Sequence, residues 1–216
     1  VGLLLICCAA SCSGPLAAKR DLSGETIGLG VHIGDALNRE TLEASMSEAG
    51  RTAEMRRSLP GGGGYMYSLG DGSATVIFYP FSDDRERVGT VMLSGSLLMK
   101  ATSRGTDREE SLSQLRQVRQ GKSEDEALAK EMRLIGEANP ELATLEGIRL
   151  GSSTDDVIAA YGAPELQGEK DTGEYLYYEG RDRTLAFRIV HKTVVGIMLL
   201  NRGGAMPPME SMFPSG

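Results

Sequence analysis

Hydrophobic and polar positions are most regularly ordered between Gly147 and Leu200. Ser153 stands three residues before Asp156 and just ahead of Val157, Ile158 and Tyr161, a spacing that predicts a short helix capped by the serine hydroxyl. Asp155 and Asp156 fall at the positive end of that helix, and Gly162 with Pro164 supplies its stop. Tyr175–Tyr178, Thr184–Val190 and Val194–Leu200 follow as runs rich in aromatic and β-branched residues, which read as strands. Leu185, Phe187 and Ile189 recur at every second position and so share one face. The breaks at Gly180–Arg183 and His191–Thr193 are short and polar, predicting an antiparallel meander with the helix on one side and the other side left for solvent or a partner.

A weaker copy of this order occupies residues 27–95. Val31-His32-Ile33-Gly34-Asp35 aligns with Ile148-Arg149-Leu150-Gly151-Ser152, and a helix from about Asn38 to Ala49 follows, with Leu42, Met46 and Ala49 on one face and Gly50 as its stop. Tyr65–Tyr67, Val76–Phe78 and Val88–Leu93 then answer Tyr175–Tyr177, Leu185–Phe187 and Val195–Leu199. Between the copies the chain turns charged and helix-favouring. Leu112, Leu115 and Val118 mark one helix, Gly121 interrupts it, and Ser123 with Glu126 caps a second that carries Leu128, Met132 and Ile135 and ends at Asn139-Pro140. This insert reads as a helical hairpin packed on one sheet, or as an exposed arm that captures a partner. The expected fold is α+β: two tandem modules, each a short helical segment packed on an antiparallel β-meander, with a helical insert between them. The expected boundaries are a signal peptide (1–11), a tether (12–26), a first α+β module (27–102), a helical connector (103–143), a second α+β module (144–201) and a disordered tail (202–216).

The run Gly147-Ile148-Arg149-Leu150-Gly151-Ser152-Ser153, continued by Asp155-Asp156-Val157, Tyr161-Gly162-Ala163-Pro164 and Tyr175-Leu176-Tyr177, resembles the SmpA/OmlA-like modules of bacterial envelope lipoproteins. Among these is the small accessory lipoprotein of the outer-membrane β-barrel assembly machinery, and the fold in tandem is similar to the β-lactamase inhibitor protein. The resemblance implies a protein-binding role through a sheet-and-loop surface.

At the start of the chain, Leu3-Leu4-Leu5-Ile6 is too short to span a bilayer but suits a signal-peptide core. Ala9-Ala10-Ser11-Cys12 resembles a lipobox, which implies cleavage before Cys12 and lipidation of its thiol; Ser13 then implies outer-membrane retention under the sorting rule of such lipoproteins. All three cysteines lie at or before position 12, so the mature chain holds no internal disulfide. A net charge of -7 disfavours a phosphate-tracking surface and hence nucleic-acid binding. His32 and His191 occupy non-equivalent places, and Asp83-Asp84 and Asp155-Asp156 suit turn and cap positions better than an acid–base pair. Gly61–Gly64 lacks the Lys-Ser/Thr ending of a phosphate loop and reads as a flexible linker.

These readings converge on a non-enzymatic lipoprotein without a cofactor, lipid-anchored to the outer membrane and facing the periplasm. Its expected partner is another envelope protein, held by Tyr175, Tyr178, Arg188 and Val190 on the outward side of the second meander, a mixture of aromatic, Arg and aliphatic groups favoured at protein interfaces. Two other classes stay open: an enzyme of unknown type, with His191 and Asp182 as the first positions to substitute, and a copper-handling lipoprotein. The latter would use Met206, Met209 and Met212, soft thioethers at three-residue spacing suited to Cu(I). With a start restored, the full chain is expected to take up a palmitate analogue and Cys12→Ala to lose the label; equal labelling of the two removes the anchor.

Overall fold

The computed structural model describes residues 20–59, 63–70, 72–95, 124–170 and 173–201. Their β-rich runs pair into one antiparallel sheet of eight strands: β1 (Ala53–Ser58), β2 (Tyr65–Leu69), β3 (Ala74–Pro80), β4 (Val88–Gly95), β5 (Leu166–Lys170), β6 (Gly173–Glu179), β7 (Arg183–Val190) and β8 (Thr193–Asn201). The spatial order is β1-β2-β3-β4-β8-β7-β6-β5. Among the described residues three helices accompany it: α1 (Arg39–Glu48), α2 (Glu124–Ala138) and α3 (Thr154–Tyr161). Each half of the chain contributes a meander, and the two last strands meet in the middle, with Met92 opposite Met198, Val91 opposite Leu199 and Leu93 opposite Ile197.

That central pairing overturns the expectation of two tandem helix-plus-meander modules. Strands β4 and β8 are buried along nearly their whole length and apolar on both faces, so neither could stand as a solvated edge. Pairing them satisfies their backbone groups and merges the two cores. A single cluster joins Leu42 and Phe78 from the first half, Met132 from the connector, and Tyr178 and Phe187 from the second half. The boundaries 27–102, 103–143 and 144–201 therefore do not separate independent units.

The tether expected over residues 12–26 is corrected in its later part. Arg20 bridges to Gly180, and Leu22 and Glu25 are buried. A buried carboxylate is tolerable only with full hydrogen bonding. Glu25 has it: Oε1 accepts from the Leu145 N–H at 2.8 Å and Oε2 from the Tyr161 hydroxyl at 2.9 Å, while Arg183 donates to the Glu25 carbonyl at 2.9 Å. The strand of chain then crosses to the first half, where the Gly34 N–H donates to the Val88 carbonyl at 2.8 Å. The signal peptide (1–11), Cys12, the first connector helix and the tail 202–216 with Met206, Met209 and Met212 lie outside the described residues.

Local chemistry accounts for the helices. Asn38 caps α1 by accepting from the Thr41 N–H at 2.9 Å, and Gly50 closes it at φ +75°. Ser153 and Asp156 form a reciprocal capping box on α3, whose hydrogen bonds from Ser153 hold the Asp156 carboxyl below the usual carboxylate range. In α2, Gly136 is required because a Cβ there would collide with the Leu150 carbonyl, so the turn at Gly147–Gly151 can press against the helix. Gly64 is likewise no flexible linker: it sits at φ +122°, and a Cβ would strike the Phe78 carbonyl.

Phe78 and Phe187 are fully buried in one shared core. Phe78→Ala and Phe187→Ala are each expected to destabilise the protein by about 3–5 kcal/mol. Chemical denaturation should show one cooperative transition that shifts as a whole in both variants; two separable transitions would restore independent modules.

Candidate functional site

All three described helices contribute large apolar residues to the core on one side of the sheet: Leu42 and Met46 from α1, Leu128, Met132 and Ile135 from α2, Val157 and Tyr161 from α3. Strand alternation places a second apolar cluster on the opposite face, built on Ile77, Met92, Met198, Tyr175, Tyr177 and Ala186, with Met66 and Tyr79 packed against it. Tyr175 and Tyr177 stack at 6.2 Å and 20°, and burial pushes the Tyr177 phenol up to about 12. A cross-strand row of Ser94, Gly196, Arg188 and Tyr175 runs along this face. Arg188 is buried within it; burial pulls its guanidinium below the ordinary value, opposed by the fields of Tyr175 and Asp125.

The four residues expected to form one exposed partner surface do not share a face. Tyr175 and Arg188 stand opposite each other on the second face. Tyr178 pairs with Leu185 and therefore points under α3, where its ring meets Tyr161 at 5.4 Å and Phe187 at 5.9 Å. The Arg20 guanidinium lies 4.9 Å from its ring centroid, and the Tyr178 hydroxyl donates to the Gly162 carbonyl at 3.2 Å. Val190 joins the helix-side core together with Ile189, because the ladder shifts register between Arg188 and Ile189 and breaks the alternation. All four are buried. Sequence reasoning missed Tyr177, Met92 and Met198 as members of the second face. The signal was a one-residue slip in the repeat: Tyr67 packs on Phe78 at 6.0 Å as Tyr178 packs on Phe187 at 5.9 Å, so Tyr67 answers Tyr178 rather than Tyr177.

Other candidate chemistry is dispersed. His32 is exposed, 3.6 Å from Asp35, and His191 lies with Lys192 in a left-handed turn between β7 and β8. Asp182 occupies the turn at the other end of β7, which at about 3.3 Å per residue puts it roughly 30 Å from His191 and outside any common site. A surface hollow of about 240 Å³ is lined by Phe81, Asp83, Asp84, Arg87 and Asn201. Asp84 is already engaged there, accepting from the Glu86 N–H at 2.9 Å and lying 3.4 Å from Arg87. Among the described residues no group of three or more His, Cys, Asp or Glu side chains could hold a metal ion. Glu131 on α2 is the most perturbed carboxyl: Oε2 is buried with no hydrogen-bond partner, and burial pushes its pKa up to about 7.

The two sheet edges differ. At β1 the ladder shifts register between Met55 and Arg57, and the exposed Arg56 and Arg57 follow one another. At β5 the register runs unbroken from Leu166 opposite Tyr177 to Lys170 opposite Gly173, and Leu166 is 61% exposed.

No family model matches the chain, and no curated protein matches it. The crystal structure of a DUF4309 family protein (YjgB) from Bacillus subtilis is similar to it, with a TM-score of 0.39 and 12% identity over 76% of this chain and 78% of that one. Among the described residues no helix is long and apolar enough to cross a membrane.

Glu131 sets a pH dependence. Its folded pKa, about 7, lies above the ordinary 4.5, so between those values the unfolded chain gives up a proton that the folded chain keeps. The stability share that depends on Glu131 is full below about pH 4.5 and is lost as pH rises toward 7. Glu131→Gln is expected to flatten that decline and to exceed the parent in urea midpoint at pH 8; parallel pH profiles for the two proteins would refute it.

Proposed function

We propose that this chain is a non-enzymatic lipoprotein of the bacterial cell envelope, anchored through Cys12 to the outer membrane, that binds an envelope protein by strand addition to β5. The observation that supports this reading is the contrast between the edges. An edge strand offers a row of backbone N–H and C=O groups to any extended segment, and folds that must avoid such pairing interrupt or charge the edge. Strand β1 carries both devices, a register break and consecutive arginines, whereas β5 keeps a regular ladder and an exposed Leu166 that can anchor an apolar side chain of the partner. The faces are poorer candidates: one lies under the helices, and the side chains of the other are buried. Main-chain hydrogen bonds along β5 would supply affinity, and Leu166 the selectivity.

Gly168 gives the test, since a Cβ built there meets nothing within 4 Å and a side chain leaves the fold undisturbed. With a photo-crosslinking residue at Leu166, the anchored chain is expected to give a discrete protein adduct in cells, and the same residue at Glu54 on β1 none. Gly168→Lys should abolish the adduct while leaving thermal unfolding unchanged. An adduct that survives Gly168→Lys, equal adducts from both edges, or no adduct at all overturns strand addition.

A further inference from the structure

Strand β5 covers its neighbour incompletely, and a residue distant in sequence makes up the difference. At the other edge β1 follows β2 to its last residue, with Ala53 opposite Leu69. β5 begins only at Leu166, opposite Tyr177, although β6 runs on to Glu179. The Gly180 N–H donates to the Arg183 carbonyl at 2.8 Å, toward β7. Bonding direction alternates along a strand, so the Glu179 N–H turns to the β5 side, beyond the point where β5 starts. Left unpaired, that N–H would extend the open edge. It donates instead to Glu165 Oε2 at 3.1 Å. Arg20 holds the same carboxylate: Nη1 donates to Glu165 Oε1, Nη2 to the Ala163 carbonyl at 2.7 Å, and the guanidinium lies over the Tyr178 ring. Its main chain bridges to Gly180. Residue 20 thus fills the end of the β6 edge that β5 does not reach.

We infer that Arg20 is a positioning residue for strand addition at β5 and acts through Glu165; the inference rests on the reading of β5 as the binding edge. The alternation that turns Glu179 toward β5 also turns the backbone groups of Leu166 and Gly168 toward β6, so those of Gln167 and Glu169 face outward. The Glu165 N–H is taken by the Tyr177 carbonyl at 2.9 Å. The outward row therefore starts at Gln167, and an extended segment pairs from there toward Glu169. Arg20 keeps the start of β5 against β6 and closes the edge beside it, which confines the incoming segment to one register. Two acceptors held by one planar fork suit Arg; a Lys ammonium keeps the charge but lacks that geometry. Arg20 and Glu165 are both partly exposed, so the effect is local to β5 rather than a large share of global stability.

The test uses the full chain, with amide exchange followed residue by residue by NMR. Arg20→Ala is expected to speed exchange at Leu166 and Gly168 by about tenfold while the Val91 and Phe187 amides keep their rates, and Arg20→Lys to fall between. Because Arg20 acts through Glu165, adding Glu165→Gln to Arg20→Ala should change these rates no further, as a coupled pair requires. In cells, the adduct from a photo-crosslinking residue at position 166 is expected to fall several-fold in Arg20→Ala and to recover in part in Arg20→Lys. Unchanged exchange in Arg20→Ala, additive effects of the two substitutions, or an adduct that Arg20→Ala leaves undiminished overturns the positioning role alone. A parent chain that gives no adduct overturns strand addition, and this role with it.

Discussion

The antiparallel ladder between β4 and β8 is the interaction on which the rest of the structure depends. It sets Met92 against Met198 at the centre, flanked by Val91 with Leu199 and Leu93 with Ile197. Equivalent strands of the two halves thus pair edge to edge, as like elements do across a two-fold axis. The pairing removes two edges that would each have been long, flat and apolar, the combination most prone to wrong association. The edges left at the outside, β1 and β5, are short and polar.

A second constraint follows from the first. Eight strands in one sheet present a wide apolar face, which the three described helices cover together. The N-terminal strand of chain ties them. It begins beside Gly180 in the second half, buries Glu25 against Tyr161 and Leu145, and ends beside Val88 in the first half. Desolvation would make Glu25 costly were its oxygens not supplied with donors from two separate elements. Its hydrogen bonds fix the relative position of segments far apart in sequence, which apolar contact alone would specify weakly.

Function is best sought where the fold leaves something unsaturated. Side chains on both faces are buried, whereas β5 keeps backbone groups at the edge of a regular ladder. Arg188 shows why residue type alone misleads. Its composition of neighbours, tyrosine and methionine, resembles an interface, yet the guanidinium is buried in the protein's own packing.

The sequence by itself determined the local elements that depend on near neighbours. The Ser153–Asp156 box, the Asn38 cap, the stops at Gly50 and Gly162, the central strands and the body of α2 are read from spacings of a few residues, because capping and alternation act over that range. The edge strands β1 and β5 escaped notice because an edge wetted on its outer side needs no apolar alternation. Only the tertiary structure decided that the halves share a sheet, since two apolar strands can face a common helix layer separately or pair with each other, and local pattern is the same in both. It also decided which side each candidate residue occupies. Tyr178 and Val190 passed to the helix-side core through a one-residue register and a bulge, features fixed by pairing with a distant strand rather than by the residues' own neighbours.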